Sequence, residues 1–311
     1  MPETKSDGLF NLGKAVASSQ IHERTLHYIH WSWSEGTKKQ YNSHLKKWFT
    51  FCIEWNCDPY KTTVKDLLYF LTDLADKGLS YSVIKATKSA ILHINVENPD
   101  IHNNKLISQF MKGVFKKRPP VPKYFNTWDP QQVLNYIKSW RDDGTLKQLS
   151  FKTAFLLLLC SAKRGKEIID VHIENIQISD VEVIIRPGDF SKTSSKPNVK
   201  DPLIHLPKFS QDLRICVYTH LIKYLTETES IRKGEKQLFI SFQKPHKRIS
   251  RDTLSRWIKC MLKKGGVDTD IYTTHSLRHA ATSSAAAKNV SLATILASVG
   301  WKSESTFTTI Y

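Results

Sequence analysis

No apolar run reaches about 18 residues anywhere in the chain, and the longest, Ala154 to Cys160, has the length of a core-helix fragment, so a membrane-spanning helix is not expected. The first residues also lack the apolar centre of a secretory leader, and the two absences together predict a soluble intracellular protein. Cysteine is sparse. Cys52, Cys57, Cys160, Cys216 and Cys260 form an odd set, widely spaced among apolar neighbours, which argues against a disulfide framework and fits a reducing compartment. Cys52 and Cys57 have no second pair at metal-ligand spacing, so no zinc site is expected. There is no glycine-rich phosphate loop and no acidic metal cluster, so neither nucleotide nor Mg²⁺ is expected, and the cofactor and metal sets are read as empty. Internal repeats and low-complexity segments are missing too.

Acidic side chains are the remaining shortage. Asp and Glu number 29 against 46 Lys and Arg, a formal charge of +17 and a pI near 9.6, on 311 residues of ordinary 40% hydrophobic content. That length supports two domains with their own cores. The basic excess falls on both sides of residue 117, so both halves are expected to face a polyanion, most commonly nucleic acid.

Helix signals organise the first half. A helix is expected around Ser19 to Tyr28. Ser34 is read as the cap of the next, with Tyr41, Leu45, Trp48, Phe49, Cys52 and Ile53 inward and a stop at Asn56 to Pro59. Thr63 caps another, with Val64, Leu67, Leu68, Phe70, Leu71 and Leu74 inward and a stop at Lys77-Gly78. Ser80 caps a third, with Val83, Ile84, Thr87, Ile91 and Leu92 on one face, and a fourth runs from Asn104 to Phe115. Four short helices with short polar connections make a bundle. Lys116 to Lys123 then holds Pro119, Pro120 and Pro122, an extended basic linker suited equally to solvent and to phosphate.

Past the linker, Asp129-Pro130 opens a helix to Arg141, and Ser150 is read as the cap of a helix through Cys160. Val181 to Arg186 and Pro202 to Leu206 read as a hairpin with a long polar tip. Helical periodicity returns from Gln211 to Thr228 and from Arg251 to Lys264, stopped by Gly265-Gly266. Gln237 to Phe242 is either a strand or the lead-in to a helix.

The last forty residues carry the chemistry. Thr273 and Thr274 are read as caps of a helix from His275 to Lys288, with Asn289 as a left-handed stop. His275 and Arg278 share one face of its first turn, where N–H groups and the dipole favour an anion, and a phosphate is expected there. His275 and His279 are four apart, but the Glu of the zinc-protease helix motif is missing, so a metal is not expected. Ser291 caps a helix from Leu292 to Val299 with Leu292, Ile295 and Val299 as its stripe, and Gly300 ends it. A last helix, begun by Ser305 or Thr306, is expected to carry Phe307, Ile310 and Tyr311.

His275-x-x-Arg278, Gly300-Trp301 and Tyr311 ten residues later, preceded by Ser161-Ala162-Lys163-Arg164-Gly165-Lys166-Glu167, resemble the signature of the tyrosine recombinase, or phage integrase, family over residues 35 to 311. The texture, with Gly78-Leu79-Ser80 and Ser305-Thr306-Phe307, looks like the eukaryotic mobile-element branch of DIRS and Crypton type. The resemblance implies a mainly α two-domain protein: an N-terminal helical bundle of SAM-like core-binding type and a mixed α/β catalytic domain with a small antiparallel β-sheet. On that plan residues 1–33 are an N-terminal extension, 34–117 the core-binding domain, 118–127 the linker and 128–311 the catalytic domain.

It also implies roles. Arg164 and Arg278 become the catalytic arginines, with Glu167 a carboxylate near the first. Lys192 becomes the hairpin lysine, with Lys196 and Lys200 as rivals, and Trp301 stands where the family carries His or Trp, either packed as core or donating its indole N–H. Tyr311 becomes the nucleophile. A guanidinium fork matches non-bridging phosphate oxygens. A phenol with an ordinary pKa of about 10 needs help at neutral pH; His275 can take its proton or hydrogen-bond the phosphate, and Lys192 can protonate the leaving 5′-oxygen. The resemblance thus implies recombination of double-stranded DNA without metal, for mobile-element integration or excision, in a nucleus if the source is eukaryotic and otherwise in cytoplasm or nucleoid. A homotetramer on DNA is implied as well. Because the sequence stops at Tyr311, where relatives continue into a segment that packs on a neighbour, that assembly is expected to be weak. A type IB topoisomerase-like monomer and a DNA-binding module without catalysis remain the two alternatives.

Overall fold

Ser34, Thr63 and Ser80 each begin a helix through the side-chain oxygen that the sequence reading singles out. In the computed structural model, which describes residues 22–95, 98–121, 126–141, 143–187 and 202–301, the chain forms two compact units, Met1–Lys123 and Tyr124–Tyr311. The first unit contains six helices among the described residues: α1 (Glu23–Trp31), α2 (Glu35–Glu54), α3 (Val64–Asp76), α4 (Tyr81–Ile94), the short α5 (Pro99–His102) and α6 (Lys105–Lys117). Helix α1 runs beyond the expected end at Tyr28, and α5 was not foreseen. Thr63 Oγ1 accepts the Asp66 N–H at 3.2 Å and the Asp66 carboxylate accepts the Thr63 N–H at 3.3 Å, so two otherwise orphaned donors are satisfied.

Leu45, Trp48, Phe51, Cys52, Leu67, Phe70, Leu71, Ile84, Ile91, Ile107 and Met111 form this unit's core. Phe51 faces inward, while Ile53 is 82% exposed, against expectation. A 100° step per residue puts Phe51 on the Trp48 face and turns Ile53 away from it.

The second unit is built around α8 (Leu146–Ser161), nearly every residue of which from Gln148 to Leu158 is buried. A helix apolar on all sides must be enclosed. It is packed by α10 (Val217–Glu229), α11 (Arg251–Lys264) and α12 (Ser276–Ala287). Ser150 is not its cap: Thr145 accepts from the Gln148 N–H, and Ser150 Oγ instead donates back to Leu146 O at 2.6 Å within the helix. Asp129 caps α7 (Pro130–Ser139), and α9 (Gly165–Ile169) is a short turn after α8.

The expected hairpin is present as β2 (Glu182–Ile185) and β3 (Ile204–Pro207), paired antiparallel with Ile185 opposite Ile204. A third strand, β1 (Ile176–Ile178), pairs with β2 on its other edge. The segment from Gln237 is neither a full strand nor a helix; it makes isolated bridges, His172 with Gln237 and Ile240 with Arg248. Helix α10 starts at Val217, later than expected, after a 3₁₀ turn at Leu213–Ile215. Helix α13 (Leu292–Val299) closes the described chain. No helix among the described residues is long and apolar enough to cross a membrane.

Candidate functional site

Arg164 is placed by the way α8 ends. Ala162 adopts the left-handed conformation, φ 47°, with its N–H donating to Leu158 O at 3.0 Å, which stops the helix and turns the chain out. Lys163 follows, buried, and Arg164 stands extended at the head of α9. Three residues on, Glu167 reaches back: one carboxylate oxygen accepts the Arg164 N–H at 2.8 Å and the other its guanidinium at 2.7 Å.

The same carboxylate faces a second guanidinium. Arg278 Nη1 lies 3.9 Å from Glu167 Oε2, so one half-buried acid stands between two arginines far apart in the sequence. Arg278 is 5% exposed, and its Nη2 donates to Val299 O at 2.8 Å. Its guanidinium sits 5.0 Å from the ring of Trp301, a cation–π distance. Burial first, then the charge of Arg164, lowers the Arg278 pKa to about 10, with Glu167 pulling it back up. The group is still a cation at neutral pH, held against a like charge. Nη1 has no hydrogen-bond partner among the described residues although it is buried. An unused guanidinium donor beside a second guanidinium has the chemistry to accept an anionic oxygen.

The helix that carries Arg278 begins differently from expectation. Helix α12 starts at Ser276 with His275 in the cap position and no side-chain cap. Thr274 Oγ1 is turned away to Ser255, donating to its carbonyl at 3.1 Å, and Thr273 serves through its carbonyl, which accepts from Ser276 N at 2.8 Å and from Ser276 Oγ at 2.7 Å. His275 is exposed, with its ring 5.2 Å from that of half-buried His279. Asn289 ends α12 at φ 61° as expected, and Val290 N reaches Ala285 O at 3.1 Å. No three His, Cys, Asp or Glu side chains among the described residues are grouped to hold a metal ion.

Burial, then His275, then Arg278 lower the His279 pKa to about 4. The neutral form is the folded form. Between pH 6.5 and about 4 the unfolded chain binds a proton that the folded chain refuses, so stability falls as pH falls through that window, by at most about 3 kcal/mol from this residue. Urea unfolding of wild type and His279→Gln at pH 7 and pH 4.5 measures it. The variant is expected to lose less stability on acidification.

Gly300 places Trp301. At φ 69° it ends α13, and the Trp301 N–H turns back to Leu296 O at 2.9 Å. Gly300→Ala puts a side chain where the backbone is left-handed and is expected to cost about 1 kcal/mol in urea unfolding.

The structure therefore brings together Arg164, Glu167, Arg278 and Trp301, with His275 three residues before Arg278. Lys192, its rivals Lys196 and Lys200, and Tyr311 lie outside the described residues. Trp128 and Ser276, buried and bonded behind the His275 turn, were missed; nothing local in the sequence links residues 148 apart.

Solved structures share this architecture. The chain superposes on the XerH site-specific recombinase in a post-cleavage complex with palindromic difH substrate (TM-score 0.64, 15% identity, 97% of this chain and 89% of that one). It also superposes on the Tn1549 transposon integrase in complex with transposon right-end DNA (TM-score 0.59, 13% identity, 98% and 94%), and on a lambda integrase dimer bound to a COC′ core site (TM-score 0.53, 16% identity, 97% and 75%). A search of curated protein sequences finds no match. The fold is that of the tyrosine recombinases, enzymes that cleave and rejoin DNA. Residues 127–311 match the phage integrase family, and the chain belongs to it. The narrower DIRS or Crypton branch is not reached by these comparisons.

Proposed function

We propose that this enzyme recombines double-stranded DNA through a 3′-phosphotyrosine intermediate, in the integration or excision of a mobile element. The buried Arg278 Nη1, without a hydrogen-bond partner among the described residues and beside Arg164, carries the reading. A scissile phosphate gains charge as it is attacked, and two guanidiniums fixed beforehand by Glu167, Val299 and Trp301 offset that charge without reorganising. Arg164 and Arg278 hold the non-bridging oxygens. Tyr311 attacks phosphorus, its proton passing to His275, and Lys192 protonates the departing 5′-oxygen. The phosphodiester bond breaks as the phosphotyrosine bond forms, so the energy for rejoining is kept. Trp301 packs the Arg278 guanidinium.

Recombination needs several active sites together, so the protein assembles as a homo-oligomer on DNA. The neighbours in complex with DNA, including lambda integrase as dimer and as tetramer, support this reading. Work on DNA fits a nucleus if the source is eukaryotic, and otherwise the cytoplasm or nucleoid.

The test is a nicked duplex whose cleaved end diffuses away, which traps the covalent protein–DNA adduct. No adduct on any duplex target would defeat the reading in favour of a DNA-binding module. Relaxation of supercoils by a monomer would favour topoisomerase-like action. Binding itself is expected to be salt-sensitive. The net charge of +17 implies several neutralised phosphates, so log K against log salt should fall with a slope near −0.9 per phosphate contacted, measured by fluorescence anisotropy between 50 and 200 mM salt.

A further inference from the structure

Nine described helices begin with a side-chain cap, whereas α9, α10 and α12 do not. The residue in the cap position of α12 is His275, whose ring is needed elsewhere on the reading above. A helix start without a cap frays unless something else holds it. Here the holding group comes from the beginning of the unit. The Trp128 indole N–H donates to Ser276 Oγ at 3.0 Å, and that hydroxyl spends its own proton on Thr273 O at 2.7 Å. The direction of the chain is thereby set: indole to hydroxyl to carbonyl. Both Trp128 (5% exposed) and Ser276 (1%) are buried, where such a relay is strong and water cannot replace it.

A second bond fixes the same two segments. Tyr272 Oη donates to Asn126 O at 3.2 Å. The stretch 126–128 is therefore laced to both sides of the turn 273–275, one bond before it and one after.

We propose that Trp128 is a positioning residue for His275 and Arg278, acting through Ser276. The proposal rests on the recombinase reading for its catalytic consequence, but not for its geometry. The blander account is that Ser276 merely satisfies a buried indole, as core tryptophans require. The two accounts differ in what happens at His275, which neither Trp128 nor Ser276 needs for packing.

The experiment compares wild type, Trp128→Phe, Ser276→Ala, the double variant, and Trp140→Phe as a control for loss of an indole elsewhere in the unit. Nitrogen-labelled histidine spectra read the His275 ring directly, with His44 and His93 of the first unit as internal references. Expected are matching shifts of the His275 signals in Trp128→Phe and Ser276→Ala, and none in Trp140→Phe. Single-turnover adduct formation at saturating DNA should slow about 10- to 100-fold in both variants, with DNA affinity unchanged and the double variant no slower than the slower single.

His275 signals that stay in place in Trp128→Phe, or a wild-type cleavage rate in that variant, would overturn the proposal. So would a double variant whose loss is the product of the two singles, since the residues would then act separately. If wild type forms no adduct, the recombinase reading falls while the spectra alone still decide whether Trp128 sets the His275 ring.

Discussion

Tyr311→Phe is expected to abolish the covalent protein–DNA adduct, lowering cleavage by a factor of about 10⁴ or more, as loss of a nucleophile does in other covalent enzymes. Duplex affinity should stay within about twofold, because binding is spread over many basic side chains and one phenolic oxygen adds little. The rival is Tyr272. It lies three residues before His275, but its hydroxyl is engaged in donating to Asn126 O and its ring is half-buried. Attack by Tyr272 would require breaking that bond and opening the segment that leads into α12. Peptide mapping of the trapped adduct decides the matter: attachment at Tyr272, or an undiminished adduct in Tyr311→Phe, would remove Tyr311 from its role.

Arg278→Lys should be damaging too, though less so. Lysine keeps one positive charge but loses the fork, and Arg278 uses its fork in two directions, Nη2 to Val299 O and Nη1 toward the space beside Glu167. One ammonium cannot serve both. Loss of a donor aimed at developing charge costs about 10²- to 10³-fold, or about 3–4 kcal/mol, and that is the fall expected in single-turnover cleavage. A purely structural role for Arg278 would show instead as a lowered unfolding midpoint with the cleavage rate per folded molecule preserved. Arg164→Lys supplies the contrast. Arg164 is more exposed, with 36% side-chain exposure against 6% for Arg278, so its substitution should disturb stability less while still slowing cleavage.

What could be read beforehand follows the range over which each interaction acts. Ser34, Thr63, Ser80 and Ser291 cap helices within three residues of themselves, and each was legible as a cap. Asn289 and Gly300 were legible as left-handed stops for the same reason. Ser150 misled because its hydroxyl can satisfy itself inside a helix by bonding back to Leu146. Strand β1 escaped notice because three residues, Ile176 to Ile178, show too little alternation to stand out, and only pairing with β2 makes them a strand. At the site, the spacing of His275 and Arg278 is local and was visible. That Glu167 faces Arg278 as well as Arg164 was not, since the contact joins α9 to α12 across more than a hundred residues. The Trp128 relay is the extreme case.

That relay has a consequence for how the protein is made. Trp128 lies near the start of its unit and Ser276 near the end of the described chain, a separation of 148 residues, and the approach of Arg278 to Glu167 spans more than a hundred. At about 5–20 residues per second of synthesis, Trp128 waits roughly 7–30 seconds for its partner to be translated. Helices with local caps can form as they emerge, but the arginine pair cannot assemble until α12 has been made and packed on α8. The proposed strand-cutting centre thus forms only after α12 has been synthesised, so a ribosome-bound chain released before Ser276 would carry basic surfaces without the paired arginines.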